Sequence, residues 1–364
     1  MRDNVIHDVE LSYDEIVDSL GETHSFKEYL DSCRNSYKNQ SANGTLREEY
    51  ENPVSLQFEL THKCNQRCLH CYNQSGMESN LKPDLPVARW KELAKEAGEL
   101  GIFECTLSGG EPLLLGDGLF EIMDVLAGYD IYIRLITNGM LITQGLLDKL
   151  KKYRFKWLQV SIDGSRPELH DYIRGTDGAF RKAVSAANLV KINGFPLLVA
   201  HVVVKSNLDY VEEMIDTAYV LGAEAVIIAP FCYSGRAIIN KEKLDMTPEE
   251  IADVFSRVSV KRKEYRKRMN VIPSLEEQAI LQLNSVKANS SLVILPSGDV
   301  KIDCTMPFTI GSVSNSSIAE IWESVGKKVK DNEQVKEYLR SMKSSQDFLK
   351  PSFRNNVDKV YLKR

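Results

Sequence analysis

Cys64-Asn65-Gln66-Arg67-Cys68-Leu69-His70-Cys71 is the stretch from which the rest of the chain is read. It follows an apolar, strand-like run, Val54–Leu60, and puts three thiols within eight positions. Three thiolates on one short loop can ligate three irons of a [4Fe–4S] cube and leave the fourth iron open. The spacing also admits zinc, with His62 or His70 as a fourth ligand. Either way the cysteines read as metal ligands. They belong to an odd total of seven, in a chain without an export signal, so a disulfide scaffold is not expected.

Outward from this loop, short apolar runs alternate with segments of helical period. Strands are predicted over Val54–Leu60, Ile102–Leu107, Ile131–Ile136, Trp157–Ile162, Leu197–Val204 and Ala225–Ala229. Helices are predicted over Pro86–Leu100, Gly118–Gly128, Thr143–Lys152, Ala179–Asn193 and Leu208–Leu221. Six β-α alternations imply an α/β fold of parallel strands with right-handed crossovers. In such sheets functional residues gather at the C-terminal strand ends. Cys64–Cys71 follow strand one, Gly109-Gly110-Glu111-Pro112 strand two, and Thr137-Asn138-Gly139 strand three. Ser161-Ile162-Asp163-Gly164 end strand four.

After about residue 240 the alternation stops. Thr247–Lys267 is predicted as a helix, with Thr247 as N-cap, Pro248 in the first turn and Glu250 completing a capping box. Ser291–Leu295 and Val300–Asp303 read as a hairpin around Pro296-Ser297-Gly298-Asp299. Ser317–Val325 and Asn332–Met342 read as helices. The expected organisation is a short helical lead-in over 1–50, an α/β unit over 51–240 and a small α+β extension over 241–364.

The 364 residues are 43% hydrophobic and 27% charged, ordinary for a globular protein. The net charge of −5 argues against a nucleic-acid binder, which would show a broad basic face. The basic run Lys261–Arg268, broken by Glu264 and Tyr265, reads as a solvated helix face. No apolar run is long enough to span a bilayer, and the polar N-terminus has no signal-peptide core, so a cytoplasmic location without membrane contact is expected.

The cysteine motif after the first strand, Gly109-Gly110-Glu111-Pro112 after the second, and the six-fold β-α pattern together resemble the radical S-adenosylmethionine (radical SAM) superfamily. The resemblance covers roughly residues 54–232. It implies a partial (β/α)6 barrel, one [4Fe–4S] cluster on Cys64, Cys68 and Cys71, and S-adenosylmethionine on the open iron. One electron then cleaves the sulfonium to a 5′-deoxyadenosyl radical. Gly109 and Gly110 would let the backbone approach the ligand. Glu111 would accept from the methionine ammonium. Ser161 and Asp163 lie where ribose or carboxylate contacts are expected, and Thr137 and Asn138, at the strand-three exit, are further cofactor-binding candidates. Arg174 would grip the carboxylate, and Val204 would frame the adenine. His70 stands where the family usually has an aromatic against the adenine, a departure that an imidazole can accommodate by stacking.

The stretch from Leu295 through Cys304 to Trp322 resembles the SPASM/twitch extension of peptide-modifying members. Those extensions carry cysteines for auxiliary clusters; here Cys304 stands alone after Cys232. Without a second electron sink, redox-neutral chemistry gains weight. Epimerisation needs a hydrogen donor, and Cys232, just past strand six, is the candidate. Tyr233 is an alternative relay, Cys105 reads as core, and Cys33 and Cys304 have no assigned role. The expected partners are a ribosomally made precursor peptide and a flavodoxin- or ferredoxin-type electron donor. A sugar or nucleoside substrate is the competing expectation.

Overall fold

A computed structural model describes residues 49–76, 82–274, 288–342, 345–350 and 360–361. The expected helical lead-in, apart from its last two residues, and Cys33 lie outside the described residues. The six predicted strands are present as β1 Ser55–Glu59, β2 Glu104–Ser108, β3 Tyr132–Thr137, β4 Phe155–Ser161, β5 Leu197–Val203 and β6 Ala225–Pro230. They pair in sequence order, every pair parallel. The helices between them are α1 Val87–Glu99, α2 Asp117–Gly128, α3 Gln144–Leu150, α4 Pro167–Arg174, α5 Ala179–Ile192 and α6 Val211–Val220. Of these, α4 was not expected. Pro167 opens it and Gly175, left-handed at φ 59°, closes it.

Burial alternates along β3 and in part along the other strands. In β3, Ile133, Leu135 and Thr137 are buried while Tyr132, Arg134 and Ile136 are half-exposed. In β5 and β6, Ala200, Val202, Ile227, Ala229 and Pro230 are the half-exposed members. The buried face packs beneath the helices, where Phe58 meets Trp90 with ring centroids 5.1 Å apart. The opposite face is the inner face of the partial barrel; Thr106, Gln159 and Ser161 on it are half-exposed, while Glu59, Glu104 and Ser108 toward its β1–β2 side are buried.

The sheet does not close. It runs β11-β9-β8-β1-β2-β3-β4-β5-β6-β7, with strands added at both ends. At the β6 end, α7 (Pro248–Tyr265), with its Thr247–Glu250 capping box, is followed by β7 (Asn270–Pro273), parallel to β6. At the β1 end the expected hairpin forms as β8 (Ser291–Ile294) and β9 (Asp299–Lys301). β8 pairs parallel with β1, and β11 (Gly311–Ser312) extends the edge beyond β9. The short β10 (Phe308–Thr309) pairs with β12 (Val360–Tyr361) in a separate ribbon. Residues beyond 240 are thus divided between the two ends of one sheet. The physical reason is that each end of an open sheet presents unpaired N–H and C=O groups, which an added strand satisfies.

The last helices, α8 (Ile318–Ile321) and α9 (Glu333–Ser341), pack on the β1 side. There Trp322 Nε1 donates to Glu51 O at 2.9 Å, and Arg89 Nη2 donates to Val313 O at 2.8 Å. Phe58→Ala is expected to destabilise the fold by about 3–5 kcal/mol, because it empties a fully buried site against Trp90. Urea denaturation of the two proteins at neutral pH checks this. A loss below about 1 kcal/mol would contradict the placement of this face in the core.

Candidate active site

The cysteine loop has no helix or strand of its own, so its main-chain groups need partners elsewhere. Three elements supply them. From the β2 exit, Gly110 N–H donates to Thr61 O at 2.7 Å and Glu111 N–H to Lys63 O at 2.8 Å. From α4, Arg174 O and Ile173 O accept from Arg67 N–H and Leu69 N–H at 3.2 and 2.8 Å. The turn after β6 supplies the third set. Arg236 N–H donates to Cys71 O at 2.8 Å, Ser234 Oγ to Tyr72 O at 2.9 Å and Asn240 Nδ2 to Leu69 O at 3.1 Å.

The two glycines after β2 are explained by this packing. A Cβ on Gly110 would stand 2.0 Å from Lys63 O, and one on Gly109 (φ 128°) 2.7 Å from Thr61 O. The close approach they permit is to the main chain of the loop that carries the cysteines. Glu111 is fully buried. It accepts from Leu113 N–H (3.1 Å), Thr137 Oγ1 (2.9 Å) and Asn138 N–H (2.9 Å). Burial pushes its carboxyl up to about 7 against these bonds. Glu111 therefore ties the β2 exit to the β3 exit. Asn138 in turn donates through Nδ2 to Asn65 Oδ1 at 2.7 Å and lies 3.9 Å from Cys64 Sγ.

Asp163 is the second hub. Its carboxylate meets Arg174 Nε at 2.6 Å and His70 Nε2 at 2.7 Å, and it accepts from Val202 N–H at 2.9 Å. Burial alone would raise its pKa, but the Arg174 guanidinium and His70 outweigh that and hold the carboxyl well below the usual range. Arg174 also donates through Nη1 toward Cys68 Sγ at 3.7 Å. Burial pushes the Cys68 thiol up to about 11, with Arg174 opposing. Asn207 bolts the β4 and β5 exits together. It donates to Asp163 O (2.8 Å) and Val202 O (2.9 Å) and accepts from Val204 N–H (2.7 Å). Ser161 ends β4 on the half-exposed inner face.

The loop fits an iron–sulfur cube better than a single ion. The three thiols lie close together: Cys71 adds to the upward shift of both Cys64 and Cys68, and Cys64 to that of Cys68, in each case behind burial. Yet among the described residues no three His, Cys, Asp or Glu side chains converge tightly enough to hold one metal ion. A polynuclear cluster spreads its ligands over separate corners and accepts that spacing. The two histidines considered for zinc are committed to carboxylates, His62 Nδ1 to Asp84 at 2.5 Å and His70 to Asp163. Gln66 Nε2, buried between Cys64 and Cys68, has no partner among the described residues, as a donor awaiting a sulfide would.

The comparisons agree. The radical SAM superfamily model matches residues 58–218. A PqqA peptide cyclase of Methylocella silvestris is 32% identical over 279 residues, 74% of each chain. The chain belongs to the radical SAM superfamily. Another PqqA peptide cyclase, from Gluconobacter oxydans, is 32% identical over 58% of each chain. Among solved structures, Streptococcus suis SuiB bound to its precursor peptide SuiA superposes with a TM-score of 0.63. That match is at 14% identity, over 87% of this chain and 72% of SuiB. AdoMet-bound anSMEcpe gives 0.59 at 19% identity, over 76% and 83%. As a radical SAM enzyme the protein uses one [4Fe–4S] cluster and S-adenosylmethionine. Among the described residues no helix is long and apolar enough to cross a membrane.

The remaining candidates fall as follows. Cys232 is half-buried at the β6 exit, two residues before Ser234, which grips Tyr72. Tyr233 is buried, packs edge-on against Phe231 and donates to Asp245. Cys105 is core. Reasoning from sequence missed Arg236, Asn240 and the buried Glu59, which accepts from Tyr72 Oη at 2.7 Å. A Gly235-Arg236 pair in a loop was the one available signal.

Asp163→Asn leaves the Arg174 guanidinium buried without its carboxylate, and is expected to destabilise the protein by about 3–5 kcal/mol at pH 7. Because the folded-state pKa is depressed, the stabilisation persists down to about pH 4 and is lost below it as the carboxyl protonates. Chemical denaturation of both proteins between pH 7 and pH 3 checks both points. A deficit that is the same at pH 7 and pH 3 would contradict the ion-pair account.

Proposed function

We propose that this radical SAM enzyme modifies a ribosomally made precursor peptide. The observation that carries the reading is the open sheet. β1 and β6 pair with β8 and β7 rather than with each other, and the inner face between them keeps half-exposed residues on each of the six strands, among them Gln57, Thr106, Arg134, Gln159, Ala200 and Ile227. An extended chain can lie along such a face, whereas a small sugar calls for an enclosed pocket. The relatives named PqqA peptide cyclase support the same substrate class, as do the peptide-bound forms of SuiB and anSMEcpe.

The cluster and S-adenosylmethionine supply a 5′-deoxyadenosyl radical that removes one hydrogen atom from the substrate. The chain's own residues orient the site and dispose of the resulting carbon radical. Arg174 and Asp163 fix α4 and the β4 exit against the cysteine loop. Glu111, through Thr137 and Asn138, fixes the β3 exit. Val204, held by Asn207, closes the β5 exit. Cys232 returns a hydrogen atom from its S–H to the face opposite the one attacked, inverting that residue. The sulfur radical left behind takes one electron and one proton, the electron coming from a flavodoxin- or ferredoxin-type cytoplasmic donor. Apart from the three cluster ligands and Cys232, the sequence from β1 onward has only core Cys105 and Cys304. No set of thiols remains for an auxiliary cluster that would drain electrons from the substrate.

The test is mass spectrometry of a precursor peptide encoded beside this gene, incubated with the reconstituted enzyme in deuterated water. Epimerisation adds one mass unit, a solvent deuterium passed through Cys232. Cys232→Ala is expected to abolish the incorporation while 5′-deoxyadenosine still forms. Unchanged incorporation in that variant would exclude Cys232, and loss of two mass units in the wild type would replace epimerisation with a cross-link or dehydrogenation. If the peptide stimulates no 5′-deoxyadenosine and stays unmodified, the peptide reading fails.

A further inference from the structure

We propose that Arg236 is a positioning residue for the cysteine loop and the fixed positive charge against which its thiolates are set. Arg236 is buried immediately after the β6 exit. Its Nε donates to Cys68 O at 2.8 Å, its Nη1 to Ser75 O at 2.9 Å and its main-chain N–H to Cys71 O at 2.8 Å. One residue thus grips the loop at three points, two of them at cluster ligands. The approach is close because residue 235 is glycine. Gly235 sits at φ 55°, and a Cβ there would lie 2.2 Å from Tyr72 O. Ser234 and Asn240 take the carbonyls of Tyr72 and Leu69 beside it. Together the segment 234–240 donates to five carbonyls of the loop, those of Cys68, Leu69, Cys71, Tyr72 and Ser75, and so sets which way the thiols point.

The charge has a separate consequence. Arg174, the other buried guanidinium of the site, is neutralised by Asp163. Every side-chain partner of Arg236 among the described residues is a carbonyl. Burying a guanidinium against dipoles alone is unfavourable. A [4Fe–4S] cluster on three thiolates carries net negative charge, and more of it once reduced. The cluster therefore offsets the buried cation, and the cation favours the reduced state, a recognised lever on reduction potential. This inference holds whatever the substrate is.

Three measurements test it. In metal-free protein, Arg236→Met is expected to speed amide hydrogen exchange across residues 64–76 by about tenfold, without changing protection in β3 and β4. After reconstitution, its midpoint potential, read by EPR-monitored titration, is expected to shift to a more negative value than wild type. Arg236→Lys keeps the charge but not the forked geometry. It is expected to retain the potential and still lose loop protection. Asn240→Ala, which removes one bond to the loop and no charge, is expected to raise exchange slightly at an unchanged potential. If Arg236→Met folds and matches wild type in both exchange and potential, the proposal is overturned. If it does not fold, Arg236→Lys decides: loop exchange identical to wild type overturns the positioning role. A potential displaced as far in Asn240→Ala as in Arg236→Met overturns the charge role.

Discussion

An irregular loop that must present three thiols in fixed positions cannot satisfy its own backbone, and the rest of this structure answers that constraint. Each unpaired N–H or C=O buried in such a loop costs about 1–3 kcal/mol, so the loop is ordered only where other elements bring complementary groups. Here the β2 exit, the C-terminus of α4 and the turn after β6 each contribute. Three glycines mark the contacts. Gly110, Gly175 and Gly235 would place a Cβ 2.0, 2.6 and 2.2 Å from carbonyl oxygens of Lys63, Arg67 and Tyr72. The glycines serve backbone-on-backbone packing around the cysteine loop.

This arrangement explains why some of the site was legible in the sequence and some was not. The cysteine spacing is a local property of eight residues. The six strands announce themselves because their helix-facing side is mostly apolar, as in Ile133 and Leu135 or Leu197 and Val199. Gly109, Gly110 and Glu111 stood out as a motif, yet their physical role depends on which strand lies beside them. That is set by β1–β2 pairing across some fifty residues. Arg236 gave no periodic or compositional signal, because its partners are carbonyls more than 160 positions away. β7 is only four residues long and was not expected. The hairpin near residue 297 was visible, but its docking on β1 was not. Turn chemistry reports only the local reversal, while the docking site is chosen by the open edge of a distant strand.

The C-terminal region gains a structural role from that docking. β8 shares hydrogen bonds with β1, the strand that feeds the cysteine loop. Around their ends lies a buried polar group: Glu59 at the end of β1, Tyr72 just after the last cysteine, and Lys301 on β9, whose ammonium reaches Cys304 O at 3.3 Å. Burial raises the Glu59 carboxyl, with Tyr72 and Lys301 opposing. The extension is therefore part of the wall of the site as well as a cover for the sheet edge.

The account rests on three thiolates leaving one iron corner open to S-adenosylmethionine. The most direct measurement is EPR spectroscopy of the anaerobically reconstituted, dithionite-reduced enzyme before and after that compound is added. The account predicts about four irons and four sulfides per chain and a signal whose shape changes on addition, because the sulfonium compound binds the open corner. Stoichiometric zinc in place of iron, or a cluster signal unaltered by S-adenosylmethionine, would contradict it.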